Sequence, residues 1–200
     1  MGKEIEIKFN VGDLQLLDCI LCDAAVREKM QENFRYIKMQ TTYYDTEDGF
    51  FAARRQTLRL RKENETSVVT FKTPAENRAR GEWEVESEYL DEALPALVKA
   101  GAPETLSQVD AETLLPDCGA EFTRIAVLLG FADETVCELC GDIGQLLGGG
   151  RREPLCELEL ELKEGSEQTM LSFAAELQKK YGLQEETAGK ATRARALKQS

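Results

Sequence analysis

The chain has 200 residues, with 37 Asp and Glu against 25 Lys and Arg, a formal net charge of -12 and no histidine. Its length fits one domain with a real core, and its 42% hydrophobic content is that of a globular chain rather than a disordered one. The missing histidine excludes a Ser-His-Asp triad, a Cys-His pair, a His-zinc centre and an imidazole base, and the acidic balance argues against duplex nucleic acid as a partner.

The first residues, Met1-Gly2-Lys3-Glu4, are charged and offer no apolar run for a secretory signal. Glu6 stands where a myristoylation motif needs Ser or Thr. No stretch approaches the ~20 apolar residues of a membrane span. A cytoplasmic protein with no membrane attachment and no required protein partner is expected.

Alternation predicts a strand over residues 3–9. Apolar spacing then predicts a helix over 13–30, opened by Asp13 as N-cap. A short strand is expected at 41–44. Residues 57–62 and 67–72 flank the polar stretch Glu63-Asn64-Glu65-Thr66 and read as a hairpin, and 81–88 alternates strongly. Residues 91–100 and 104–115 look helical, punctuated by Pro95, Pro103 and Pro116. Strands at 122–129 and 135–141 follow, then a Gly148-Gly149-Gly150 turn and a strand over 155–163. An amphipathic helix is predicted over 166–181, with Met170, Phe173, Ala174 and Leu177 on one face, and another helix from Gly189. No linker or repeat divides the chain, so residues 1–200 are read as one domain.

Six cysteines include two C-x-x-C spacings, Cys19/Cys22 and Cys137/Cys140. The first pair lies in a helical pattern and the second in a strand, where residues three apart face opposite ways. Neither has the turn that would converge two sulfurs on zinc, so all four are read as small buried hydrophobes. Gly189-Lys190 is followed by Ala191 and does not complete a Walker A motif.

The strands alternate apolar residues with runs of one charge. Glu4 and Glu6, with Lys8, share a face, as do Glu82, Glu84, Glu86 and Glu88. Glu157, Glu159 and Glu161 oppose Leu158, Leu160 and Leu162, while Arg59 and Arg61 share one face and Lys72 ends the next strand. For one strand alone this would be a solvated outer face. Taken together, clustered carboxylates repel unless countercharge is near, and the charges compensate one another if their faces converge inside a closed barrel. Carboxylates without His or Cys select hard cations such as Mg2+ or Mn2+, and neighbouring Arg and Lys match phosphate oxygens. A divalent metal with several phosphates satisfies both sets, which points to phosphoryl transfer.

These residues resemble a family. Glu4-Ile-Glu-Ile-Lys8 is similar to the E-x-E-x-K signature of the CYTH superfamily, or triphosphate tunnel metalloenzymes. Leu58-Arg-Leu-Arg61, Thr70-Phe-Lys72, Arg80-Gly-Glu-Trp-Glu84, Arg124, the acidic strand from Glu138 to Asp142, Glu157-Leu-Glu-Leu-Glu161 and the pair Lys190 and Arg193 follow in the family's order. The resemblance implies an α+β fold, an eight-stranded antiparallel β-barrel with helices packed outside. It implies that Glu4, Glu6, Glu157, Glu159 and Glu161 hold Mg2+ or Mn2+, with Asp142 and Glu84 assisting. It implies that Lys8, Arg59, Arg61, Lys72, Arg124, Lys190 and Arg193 clamp a triphosphate-containing small molecule, and that Glu4, Glu6, Lys8 and Glu159 are central to catalysis.

Two positions depart from the pattern: Phe122 stands where a K-x-R strand has lysine, and Gly141 where an aliphatic residue is usual. The helical module that follows the barrel in larger relatives is not expected within residues 1–200. Three activities are compatible with these residues: hydrolysis of tripolyphosphate, thiamine triphosphate or a nucleotide; cyclisation of ATP by an adenylate cyclase; and polyphosphate or nucleotide binding without turnover.

Overall fold

The structure, a computed structural model, describes residues 2–74 and 79–198; residues 1, 75–78 and 199–200 of the expected single domain lie outside them. The strands are β1 (Gly2–Asn10), β2 (Arg35–Asp45), β3 (Thr57–Glu63), β4 (Thr66–Lys72), β5 (Ala79–Glu86), β6 (Leu115–Gly130), β7 (Val136–Gly148), β8 (Arg151–Glu164) and the short β9 (Gln184–Glu185). They pair in the order β5-β4-β3-β2-β6-β7-β8-β1, and β1 pairs again with β5. That second pairing closes an eight-stranded antiparallel barrel, as expected, with β9 a two-residue addition to β1. β1 manages the closure by dividing itself: Gly2 to Ile5 pair with β5, and Glu6 to Asn10 pair with β8.

Helices α1 (Leu14–Leu21), α2 (Ala24–Arg27), α3 (Phe50–Ala53), α4 (Leu90–Lys99) and α5 (Glu167–Tyr181) cover apolar outer faces, and α6 (Lys190–Ala196) lies at one end of the barrel. Leu17 and Ile20 of α1 and Phe173 and Leu177 of α5 pack with Phe9, Leu139, Leu158 and Leu160 of the barrel. Leu94 and Leu97 of α4, with Phe51 and Leu106, cover Leu58, Phe71 and Trp83 on β3 to β5. Burying each such side chain contributes about 1.5–3 kcal/mol, so the outer layers hold the barrel and leave its interior free for charge.

The 13–30 helix is in fact two. Asp23 accepts a hydrogen bond from the Ala25 N–H at 2.8 Å and caps α2, breaking the helix after Leu21. The stretch 104–115 is not an α-helix but two 3-10 turns, Glu104–Gln108 and Ala111–Thr113, and β6 begins at Leu115. β2, β6, β7 and β8 all exceed their predicted lengths, because closing the barrel pairs polar residues that local alternation leaves ambiguous. β5 ends at Glu86, before Glu88. Gly149 and Gly150, at φ 57° and 75°, form the tight two-residue turn between β7 and β8. Among the described residues, no helix is long and apolar enough to cross a membrane.

Candidate active site in the barrel tunnel

Inward side chains of the barrel and residues of α6 line a cavity of about 660 Å3. On one wall, β1, β4 and β5 interlock through ion pairs set by register. Lys72 Nζ lies 2.8 Å from Glu4 Oε1 and 2.9 Å from Glu82 Oε1. Arg80, the cross-strand partner of Glu4, reaches Glu6 at 2.6 Å and Glu4 at 3.3 Å. Lys8 pairs with Glu6 at 2.9 Å.

β3 supplies a second wall, which carries Arg59 and Arg61. Arg59 lies 3.6 Å from both Glu82 and Glu84, beyond hydrogen-bond distance. Arg61 bonds Glu63. The buried Nε atoms of Arg59 and Arg61 find no acceptor among the described residues. Burial pushes the Arg61 pKa down, and the neighbouring Arg59 pushes it further. Glu84 is the most exposed of the predicted ligands, its side chain 44% accessible, and it accepts a hydrogen bond from Thr70 at 2.9 Å.

The third wall is a deep corner. Arg124, Asp142 and Glu157 stand opposite one another on β6, β7 and β8, so their side chains meet on the inner face. One carboxylate oxygen from each of Asp142, Glu157 and Glu159 lies within 4.8 Å of the others. All three residues are buried. Arg124 grips Asp142 bidentately at 2.8 and 2.7 Å and reaches Glu159 at 2.5 Å. Lys190 contacts all three carboxylates, and Arg193 bonds Glu157. Burial alone would raise the Glu159 pKa, but Lys190, Arg124 and Lys8 outweigh it and hold the carboxyl well below its usual range. Burial wins at Glu157, which is raised despite Lys190. Three buried carboxylates offering hard oxygens at this spacing fit a hard divalent cation.

α6 is seated by size and by charge. A Cβ on Gly148 would come 1.9 Å from the Ala194 carbonyl oxygen, so glycine is what lets the helix approach β7. Arg195 and Lys198 each bind Asp117 at 2.6 Å.

Of the predicted residues, Glu4, Glu6, Lys8, Arg59, Arg61, Lys72, Glu84, Arg124, Glu159, Glu161 and Lys190 line the cavity. Asp142 and Glu157 stand behind Lys190, and Arg193 contacts Glu157 rather than the cavity. Glu161 is set apart from Glu159: it pairs with Lys163 at 2.8 Å and stands opposite Glu138, which binds Arg35 at 2.6 Å. The sequence reading missed Arg80, Glu82, Arg35, Glu138 and Lys163 as site residues. Arg80 and Glu82 were findable, since they share the alternating face of Glu84.

The two departures have local explanations. Phe122 joins Ile37 and Met39 in an apolar strip of the cavity wall, and Lys190 Nζ lies 5.2 Å from its ring centre. Gly141 faces outward, where a Cβ would sit 3.2 Å from Leu17 of α1. The cysteine expectation needs correction: Cys137 and Cys140 are buried, but Cys19 and Cys22 are exposed near the end of α1. All six are free thiols, and burial pushes the Cys137 thiol up to about 11.

A model of the CYTH domain matches residues 2–194. The inorganic triphosphatase of Haemophilus influenzae is 27% identical over 154 residues, 76% of this chain and 44% of that protein, so the chain spans less than half of that relative's length. Among solved structures, HpAC1 of Hippeastrum, assigned as an adenylyl cyclase and described as having a dominant triphosphatase activity, superposes with a TM-score of 0.59 at 15% identity, covering 99% of this chain and 97% of that one. A Bacillus halodurans protein assigned as an adenylate cyclase has a TM-score of 0.57 at 18% identity, covering 94% and 96%. At these identities the two structures speak for the fold alone.

Proposed function

The chain belongs to the CYTH family, and from that membership we propose that its tunnel hydrolyses inorganic tripolyphosphate or a small organic triphosphate with Mg2+ or Mn2+. The observation that carries this reading is a cavity wall whose buried arginines, Arg59 and Arg61, have Nε atoms without an acceptor among the described residues, beside a buried three-carboxylate corner that reaches the cavity through Glu159. Neither half alone calls for a polyphosphate and a cation together.

In this reading Arg59 and Arg61, with Arg80, meet the phosphate chain through Nε donors that have no acceptor among the described residues. Lys8, Lys72, Arg124 and Lys190 join by exchanging carboxylate for phosphate oxygens, which costs less than desolvating free cations. Arg193 acts through Glu157. Glu159, Glu157 and Asp142, with Glu4 and Glu6 of β1, would hold the metal, which when bound neutralises phosphate charge and activates water for attack. Glu159 stays ionised under its basic neighbours, which suits a ligand better than a proton acceptor. Glu161, which lines the same cavity, would accept the proton of the attacking water. Glu84, half open to solvent, would assist at the rim.

The test is a substrate panel. Tripolyphosphate, thiamine triphosphate and ATP are incubated with the protein under Mg2+ or Mn2+, and phosphate, pyrophosphate and cyclic AMP are followed. Phosphate release that stops on chelation is the expected result. Tight binding without turnover of any substrate would sink the enzyme reading, and cyclic AMP with pyrophosphate from ATP would replace it by a cyclase.

A further inference from the structure

Lys190 Nζ lies 2.8 Å from Asp142 Oδ2, 2.9 Å from Glu157 Oε2 and 2.7 Å from Glu159 Oε1. These are the same three carboxylates whose oxygens gather within 4.8 Å of one another. Only Glu159 accepts a hydrogen bond from the ammonium; Asp142 and Glu157 lie at ion-pair distance, and Glu157 Oε2 has no hydrogen-bond donor among the described residues. Any divalent cation entering this corner competes with Lys190 for one set of oxygens.

The charge balance sharpens the competition. Arg124 binds Asp142 and Glu159, and Arg193 binds Glu157, so three carboxylates already face three basic groups. A divalent cation added to that balanced group would bring an uncompensated surplus into a buried site. An anionic chain in the cavity removes the surplus by drawing bases off the carboxylates. Lys190 is well placed to be drawn off: it lines the cavity, opens α6, and carries its charge on a flexible four-carbon stem.

On the reading of this tunnel as a metal-dependent triphosphate site, we infer that Lys190 is a built-in stand-in for the divalent cation, holding the three carboxylates until a phosphate chain takes its ammonium. Cation and triphosphate then tighten each other's binding, and the coupling is reciprocal.

Mn2+ binding to the intact chain, followed by electron paramagnetic resonance, tests this with and without a methylene-bridged, non-hydrolysable triphosphate. Wild type should bind Mn2+ weakly alone. Lys190→Met should bind Mn2+ alone about tenfold or more tighter, and lose most of the gain that the bridged triphosphate gives wild type. Lys190→Arg, which keeps the charge, should behave like wild type. Equal Mn2+ affinity of wild type and Lys190→Met, or equal tightening in Lys190→Arg and Lys190→Met, would overturn the inference alone. No Mn2+ binding by wild type even with the bridged triphosphate would overturn the metal reading, and the inference with it. A measurement on wild type decides the matter if Lys190→Met does not fold. In a 15N-lysine NMR spectrum the Lys190 ammonium signal should hold its place with Mg2+ alone and shift when the bridged triphosphate is added. A shift with Mg2+ alone overturns the inference.

Discussion

Along β8, Leu158 and Leu160 face outward and Glu157 and Glu159 face inward, and all four are buried, from 1% to 9% exposed. Their energetics differ completely. The leucines lie against the α1 and α5 layer, where burial is favourable whatever the exact geometry. The glutamates lose hydration on burial, and their ion pairs with Lys190, Arg124 and Arg193 roughly offset that cost without much surplus. One strand is thus held in place by one face and carries buried, ion-paired charge on the other. Burial by itself does not distinguish the two; the counterions do.

Mutations that touch one face at a time would sharpen the contrast. The largest effect is expected on the inner face: Glu159→Gln should lower phosphate release by about 10^3-fold, the scale of losing one preorganised electrostatic group, with the circular dichroism spectrum unchanged. Retained turnover in that variant would refute the metal-site assignment. On the outer face, Leu158→Ala should cost about 2–5 kcal/mol in urea unfolding while KM for the triphosphate stays the same. A shift in KM would mean that the faces are not independent. Gly148→Ala tests the seat of α6, because its Cβ would collide with the Ala194 carbonyl. The helix must move, and triphosphate affinity should fall about tenfold at a stability cost of about 1–3 kcal/mol. The smallest effect concerns the outer layer's own ion pair, in which Lys180 and Tyr181 of α5 hold the Asp23 carboxyl down to about 2. A carboxyl depressed on folding contributes stability above its unfolded pKa and loses it as pH falls through the folded one. Asp23→Asn should therefore cost about 1 kcal/mol near neutral pH, discounted for the exposed Lys180, with the difference closing between about pH 4 and 2. A difference still at its neutral-pH size at about pH 2 would assign the effect to the α2 cap instead.

Most of the barrel was legible because its strands carry charge on alternate residues, as in Glu4-Ile-Glu-Ile-Lys8 and Glu157-Leu-Glu-Leu-Glu161. β2 was read as four residues because its inward positions, Ile37, Met39 and Thr41, face a charged cavity without carrying charge. The basic and acidic members of the site were separable by type, but their partners were not. Nothing local says that Arg35 reaches Glu138, 103 residues away, or that Glu161 turns to Lys163 rather than to Glu159. Helix α6 was visible as a helix, but its place in the cavity depends on small residues at Gly148 and Ala194, which carry no periodic signal.

The divided pairing of β1 also orders events in time. This strand bonds β5 with its first half and β8 with its second, so Glu6 meets Glu161 only after nearly the whole chain is available. Pairings so distant in sequence form slowly, since the loop entropy must be lost before any contact rewards it. The final stave of the barrel to lock is therefore the first one synthesised. It brings Glu4, Glu6 and Lys8 with it, and Phe9 against α1 and α5, so during refolding the tunnel cavity should be completed in the slowest phase.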